Sequence, residues 1–190
     1  PAFITALFAC CRAAPPSGSH PVVLAIDAAL AYSREFRGLF DLQSAPARPG
    51  RSFAENPYLF RACERLLHAH GWKPLSPIQD MIGSQATKAM HVMTRFSPRR
   101  DSTGIWRDET GQLWTLETYP TPCRSARLIM DRQETYPELP DPDQIDALTC
   151  SLVARMLMTD PDRAWSPGPD LPEDEGWIWL PRESVPDAVR

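Results

Sequence analysis

Four acids hold positions from which a folded chain can bring carboxylates together: Asp27, Glu117, Asp143 and Asp146. Asp27 ends the run "PVVLAID" (21–27), whose small and branched apolar residues read as a strand buried on both faces. An acid at the C-terminal end of such a strand lies where open α/β sheets bind ligands. Glu117 sits near the end of a second extended stretch, "QLWTLETYP" (112–120). Asp143 and Asp146 are three apart in "DPDQIDALTC" and so neighbours on one helical face. Carboxylates converging from two strands and a helix are what a hard divalent cation such as Mg²⁺ or Mn²⁺ needs. Two such ions about 3.5–4 Å apart can clamp the attacking and leaving oxygens of phosphodiester hydrolysis. Without a cation the same cluster repels itself and raises at least one pKa.

Each acid also has a purely structural reading. Asp27 suits a strand end that accepts backbone N–H groups, and Glu117 suits an alternating, solvated strand face. Asp143 falls in a first helical turn, where the dipole favours any acid. Asp146 lies past that turn, beside a stripe of small residues, so capping explains it less well. Other chemistries lack a foundation: there is no P-loop, no G-x-G-x-x-G, no G-x-S-x-G and no zinc spacing. His68 and His70 are two apart and would point in different directions on a helix.

The elements that must position these acids follow from local signals. Residues 2–12 read as a short, mostly apolar helix, followed by a turn and the strand at 21–27. Residues 30–54 read as a loop carrying Arg34, Arg37, Arg48 and Arg51. In "NPYLFRACERLLHAHG", Asn56 is the expected N-cap, Pro57 the first helical position and Gly71 the stop. A further helix is expected from Ser76, with Gln79 closing a capping box, to about Phe96. Residues 104–120 read as two extended pieces around a turn at "DETG". Helices are expected over about 123–131 and from Pro142, with Asp141 as N-cap, and a short strand at "EGWIWLP" (175–181).

The 190 residues suffice for one domain with a sizeable core, and no apolar run approaches the roughly 18 residues of a membrane span. The net charge of −4 conceals an asymmetry: residues 1–130 carry 15 Lys and Arg against 10 Asp and Glu, residues 131–190 carry 5 against 14. Of the basic residues 18 are Arg, which suits bidentate phosphate contacts, although Arg richness equally reflects genomic composition. Five Cys form no CxxC, and an odd count argues against a complete disulfide framework, so a reduced, cytoplasmic setting is expected. The rival is secretion, since "AFITALFACC" is similar to a signal h-region ending at a lipidated Cys, but it lacks a basic n-region.

"VVLAIDAAL", "FRACERLLHAHG", "LSPIQDMIGSQATKAM", "LETYP", "DQIDALTCSLVA" and "EGWIWLP" occur in the order seen in a family of uncharacterised conserved proteins predicted to be nucleases of ribonuclease-H-like fold. The resemblance spans about residues 2–181. "DQIDAL" also resembles the last helix of Holliday-junction resolvases, which implies metal-binding roles for Asp143 and Asp146. The acid ending "AID" resembles the fourth-strand acid of that fold, which implies the same for Asp27. Glu117 matches a recurrent acid of the family, and Arg61 and Glu64 a recurrent pattern that implies shaping of the site entrance. The resemblance therefore implies a mixed sheet flanked by helices and Mg²⁺- or Mn²⁺-dependent hydrolysis of nucleic acid, with arginines of the 34–65 region holding backbone phosphates.

Two departures stand out. Asp27-Ala28-Ala29-Leu30 replaces the usual Asp-Ala-Pro-Leu, relaxing the turn without removing the carboxylate. The fold also opens with a three-stranded meander whose first strand carries a metal-binding Asp, and nothing here matches it. A sheet without that meander would expose an unpaired edge, to be covered by a partner or another copy of the chain. A non-catalytic binding or scaffold protein on the same fold is thus the alternative function. A phosphotransferase of the related actin-like ATPase group is a further one, though no Gly-rich phosphate loop is visible.

Overall fold

The computed structural model describes residues 2–15, 21–40, 50 and 52–185, and its frame is a mixed sheet of five strands. The apolar run at 22–26 forms β1 (Val22–Ile26), parallel to β4 (Leu113–Thr118), with Val22 opposite Leu113 and Ile26 opposite Glu117. On the other side of β4 run β3 (Ile105–Arg107) and then β2 (Arg99–Ser102), both pairings antiparallel. β5 (Ile178–Trp179) runs parallel to the end of β4, placing Ile178 beside Glu117. The expected turn at Asp108–Gly111 closes between β3 and β4, the Asp108 carboxylate accepting the Leu113 N–H at 3.0 Å.

β4 is the axis of the sheet, and both of its faces are covered. This is why a strand that alternates in sequence has Leu113, Thr115, Glu117 and also Leu116 and Thr118 buried. One face packs on α7 (Pro142–Thr159), where Leu152, Val153 and Met156 join Leu116, Ile129, Trp177 and Ile178 in the main core, with Val23 and Ala25 of β1 against it. Ile26 turns the other way, as strand alternation requires, toward Leu30, Ala89 and Trp106. α7 begins as its sequence demands: Pro142 takes the first position and the Asp141 carboxylate accepts the Asp143 N–H at 2.9 Å.

The outer edge of β1 has no strand partner among the described residues, and each of its five residues is only half-buried. Before it, α1 (Ala2–Cys10) is apolar, as expected, yet buries no residue fully. Phe3 stacks on Phe96 at 3.8 Å, at the end of α4 (Gly83–Phe96).

Four expectations are corrected. Residues 34–40 form a helix, α2 (Arg34–Phe40), not a loop. It has no buried face, and its start is held by the Ser33 hydroxyl, which accepts the Phe36 N–H at 3.2 Å, and by Glu175, which accepts the Arg34 N–H at 2.8 Å. α3 (Ala62–Ala69) begins five residues later than expected, with Arg61 as N-cap. Asn56 instead accepts the Tyr58 N–H within a turn. α4 begins at Gly83, because Ser76 closes a separate turn in which Asp80, not Gln79, accepts the Ser76 N–H at 2.6 Å. Met81, in the turn before α4, is fully exposed, and the residues that α4 buries are Ala86 and Ala89. The expected helix at 123–131 divides into α5 (Pro120–Cys123) and α6 (Arg127–Gln133). Arg48 and Arg51 lie outside the described residues. No helix among the described residues is long and apolar enough to cross a membrane.

Candidate functional site

A cleft of about 440 Å³ opens where the parallel strands β1 and β4 end. Asp27 and Ala28 line it from the turn after β1, Glu117 to Tyr119 from the end of β4, and Glu64 from α3. Lys73, Pro74 and Leu75 form one wall, with Ile82 and Gln85 from the start of α4 beside them. Glu64, Glu117, Thr118 and Ile178 are buried and make the floor. Asp27, Lys73, Leu75 and Gln85 are exposed and make the rim.

Asp27 has no hydrogen bond or ion pair among the described residues, and its pKa is raised to about 6. The first cause is loss of water to the surrounding protein; the Asp146 and Glu117 charges add to it, and the Arg124 guanidinium opposes it. A carboxylate from the second strand and one from a helix thus both act on Asp27, but the three are not equivalent.

Glu117 is not on a solvated face. It is 4% exposed and grips the Arg61 guanidinium bidentately, Oε2 accepting from Nη1 at 2.8 Å and Oε1 from Nη2 at 2.5 Å. Oε2 also accepts the Leu30 N–H at 2.9 Å. Burial raises the Glu117 pKa, and Arg61 counters it. Glu64 takes the other side of the same guanidinium, at 3.0 and 2.7 Å, and accepts the Arg61 N–H at 2.7 Å. Arg61 and Glu64 are each 1% exposed, so they lie beneath the entrance and do not shape its outer rim. Glu175, also buried, accepts the Arg34 and Ala62 N–H groups at 2.8 and 2.7 Å. Burial without such partners would cost several kcal/mol per ion.

Asp146, one turn into α7, does not line the cleft; its charge acts on Asp27, and it is paired to Arg124, which reaches it through Nε at 2.9 Å and through a shorter Nη2 contact. Asp143 stays in the exposed first turn of α7 and is not among the charges that act on Asp27. Among the described residues no group of three His, Cys, Asp or Glu side chains is arranged to hold a metal ion. Arg34 and Arg37, expected to hold phosphates, are both paired to Asp174, at 2.7 and 2.6 Å.

No family model, curated protein or solved structure matches the chain.

The site's chemistry accordingly stands on its geometry. Its donors are carboxylate oxygens, the class that suits a hard divalent cation. Mg²⁺ typically takes only one or two carboxylates and completes its shell with water and phosphate; the acids that could offer oxygens to one are Asp27 and, were Arg124 to release it, Asp146. Sequence reasoning missed Arg124, Lys73 and Glu175. Glu175 sits in the acidic run "PEDEG", which reads as surface, and only the aromatic "WIWL" that follows hinted that the segment turns inward.

Proposed function

We propose that the Asp27 cleft is a divalent-cation-dependent phosphodiesterase site acting on nucleic acid, carried on a sheet of ribonuclease-H-like type. The observation that supports this best is Asp27 itself: a carboxylate without a partner among the described residues, at the ends of two parallel strands, its pKa lifted to about 6 first by burial and then by the Asp146 and Glu117 charges. Such a group gains from any nearby positive charge. Asp27 and Asp146 would hold Mg²⁺ or Mn²⁺. The cation's contribution is Lewis acidity toward a phosphoryl oxygen and toward water. Asp143, in the exposed first turn of α7, is in place to join only once a substrate draws ligands outward. Arg124 neutralises Asp146 in the resting site, and Lys73 supplies the rim's cation for a backbone phosphate. Glu117 keeps its oxygens on Arg61 and on the Leu30 N–H, and so holds the turn that presents Asp27. The edge of β1 that has no strand partner among the described residues is where a strand from another copy of the chain would pair.

The bidentate pairing of Glu117 with Arg61, which occupies both of its oxygens, favours one second reading, a protein that binds nucleic acid in this cleft without cleaving it. Mn²⁺ titration by calorimetry, with Asp27→Asn and Asp146→Asn as controls, separates the readings when combined with cleavage of single-stranded, branched and RNA–DNA substrates. Cation binding lost in either variant, with cleavage by the parent, is the expected outcome. Binding without cleavage selects the second reading, and a parent protein that takes up no Mn²⁺ removes the cation from the site.

A further inference from the structure

The cleft is larger than phosphodiester chemistry alone requires. A phosphate and a hydrated ion need only the rim where Asp27 and Lys73 stand, yet the cavity continues inward to about 440 Å³, within the range of roughly 300–1,000 Å³ that accommodates a small organic ligand. Its inner walls are apolar where they meet the cavity: Ala29, Pro74, Ile82 and Ile178. Leu75 stands over the mouth with 54% of its surface exposed, an apolar side chain offered to a flat partner. The floor adds a directional feature. A carboxylate has about four acceptor positions; Glu117 accepts three hydrogen bonds and Glu64 accepts three among the described residues. Each thus keeps about one lone pair, and both present acceptor oxygens ion-paired to Arg61.

From these observations we infer that the cleft takes one unpaired nucleotide, with its phosphate at the rim beside Asp27 and Lys73 and its base inside against Leu75 and Ile82, and that it favours bases bearing an exocyclic amino group. Placing the phosphate there rests on the proposed function; the base pocket does not. A base still paired and stacked in a duplex cannot enter, because its edge and faces are already occupied, and turning it out of the stack is unfavourable. The floor accepts hydrogen bonds only. The amino groups of cytosine and adenine can supply one, whereas the single donor of thymine, N3–H, is flanked on both sides by carbonyl oxygens that meet the carboxylates as like-signed dipoles.

Fluorescence anisotropy on the full chain tests this, using labelled 12-mers of dC, dA and dT and a hairpin duplex, in Ca²⁺ and again in EDTA. The dC and dA strands should bind about tenfold or more tighter than dT, the gain expected of a hydrogen bond to a charged acceptor. The duplex should bind about tenfold more weakly than dC. Leu75→Glu, a change at an exposed position that leaves the core untouched, should reduce dC affinity at least about fivefold. Equal binding of dT and dC, a duplex bound as tightly as the single strands, no effect of Leu75→Glu, or no binding to any oligonucleotide each overturns the inference. Mn²⁺ binding measured without nucleic acid decides the cation reading separately, and base selectivity that persists in EDTA sustains the base pocket even where that reading fails.

Discussion

Replacing Arg61 by Met tests the buried charge cluster on which the site is built. The guanidinium uses all five of its N–H groups: three bonds go to Glu64 and Glu117 at 2.7–3.0 Å, a fourth to Glu117 at 2.5 Å, and the last to the Glu175 carbonyl at 3.3 Å. Methionine fills most of the volume but leaves two carboxylates of 1% and 4% exposure without their counter-charge. Removing one partner of a buried ion pair typically costs about 3–5 kcal/mol, because the remaining charge stays buried and unpaired. In a chain of this size each kcal/mol shifts the melting temperature by about 2–4 °C, so calorimetry should show a loss of roughly 6–20 °C at pH 7. The pH dependence identifies the cause. Glu117 already has its pKa raised by burial, which Arg61 opposes, so without Arg61 it would titrate higher still in the folded state than in the unfolded one. A carboxyl whose folded pKa is raised is unfavourable above that pKa and loses the penalty as pH falls toward the unfolded value. The variant's deficit should therefore shrink between pH 7 and pH 5. A deficit under about 1 kcal/mol, or one of the same size at both pH values, would refute the argument that burial of unpaired charge is what Arg61 prevents.

Two further predictions concern the frame and the free acid. Gly104 has φ +75°, and a Cβ there would lie 2.5 Å from the Trp177 Cβ and 2.8 Å from its backbone N; Gly104→Ala should lose about 3 kcal/mol or more in urea denaturation, combining left-handed strain with overpacking. A loss under about 1 kcal/mol would show that β3 and the Trp177 segment can separate freely. Asp27→Asn should be more stable than the parent at pH 8 and no different at pH 4, because a folded pKa of about 6 against an ordinary 3.8 makes the ionised group unfavourable only as pH rises through that interval. Equal melting temperatures at pH 8 would mean that Asp27 feels neither burial nor the Asp146 and Glu117 charges.

The parts of the fold legible in the sequence are those set by neighbours along the chain. β1 announced itself by an unbroken apolar run, α7 by Asp141-Pro142, and the end of α3 by Gly71, which adopts φ +87°. The starts of α2 and α3 did not show, because their N–H groups are satisfied by Glu175, 141 and 113 residues away. Asn56-Pro57 is a sound local start signal that lost to this distant carboxylate. The alternation of β4 correctly divided its side chains between two faces, but periodicity cannot say that a face is covered, and so Glu117 read as solvated. At the site, Asp27 and Asp146 were recognisable from strand end and helix face, whereas the pairing of Asp146 with Arg124 depends on where α5 stops, which no local pattern encodes.

The arrangement also explains why so many acids surround so little positive charge. Glu64, Glu117 and Glu175 are turned inward onto one guanidinium and onto the N–H groups of Leu30, Arg34, Arg61 and Ala62. They tie the turn after β1, the start of α2 and the start of α3 to the end of β4 and to the segment before β5. Because their hydrogen bonds are directed at backbone, they fix the course of loops whose apolar residues, Leu30 and Phe60 among them, are buried. A chemically active carboxylate has the opposite requirement: it must be held near other charge yet keep its lone pairs free. Asp27 meets it, since the turn that carries it is bonded through Leu30 while its own oxygens have no partner among the described residues. The separation between acids that build the cleft and the one acid left open at its rim is the physical reason to look for function at residue 27.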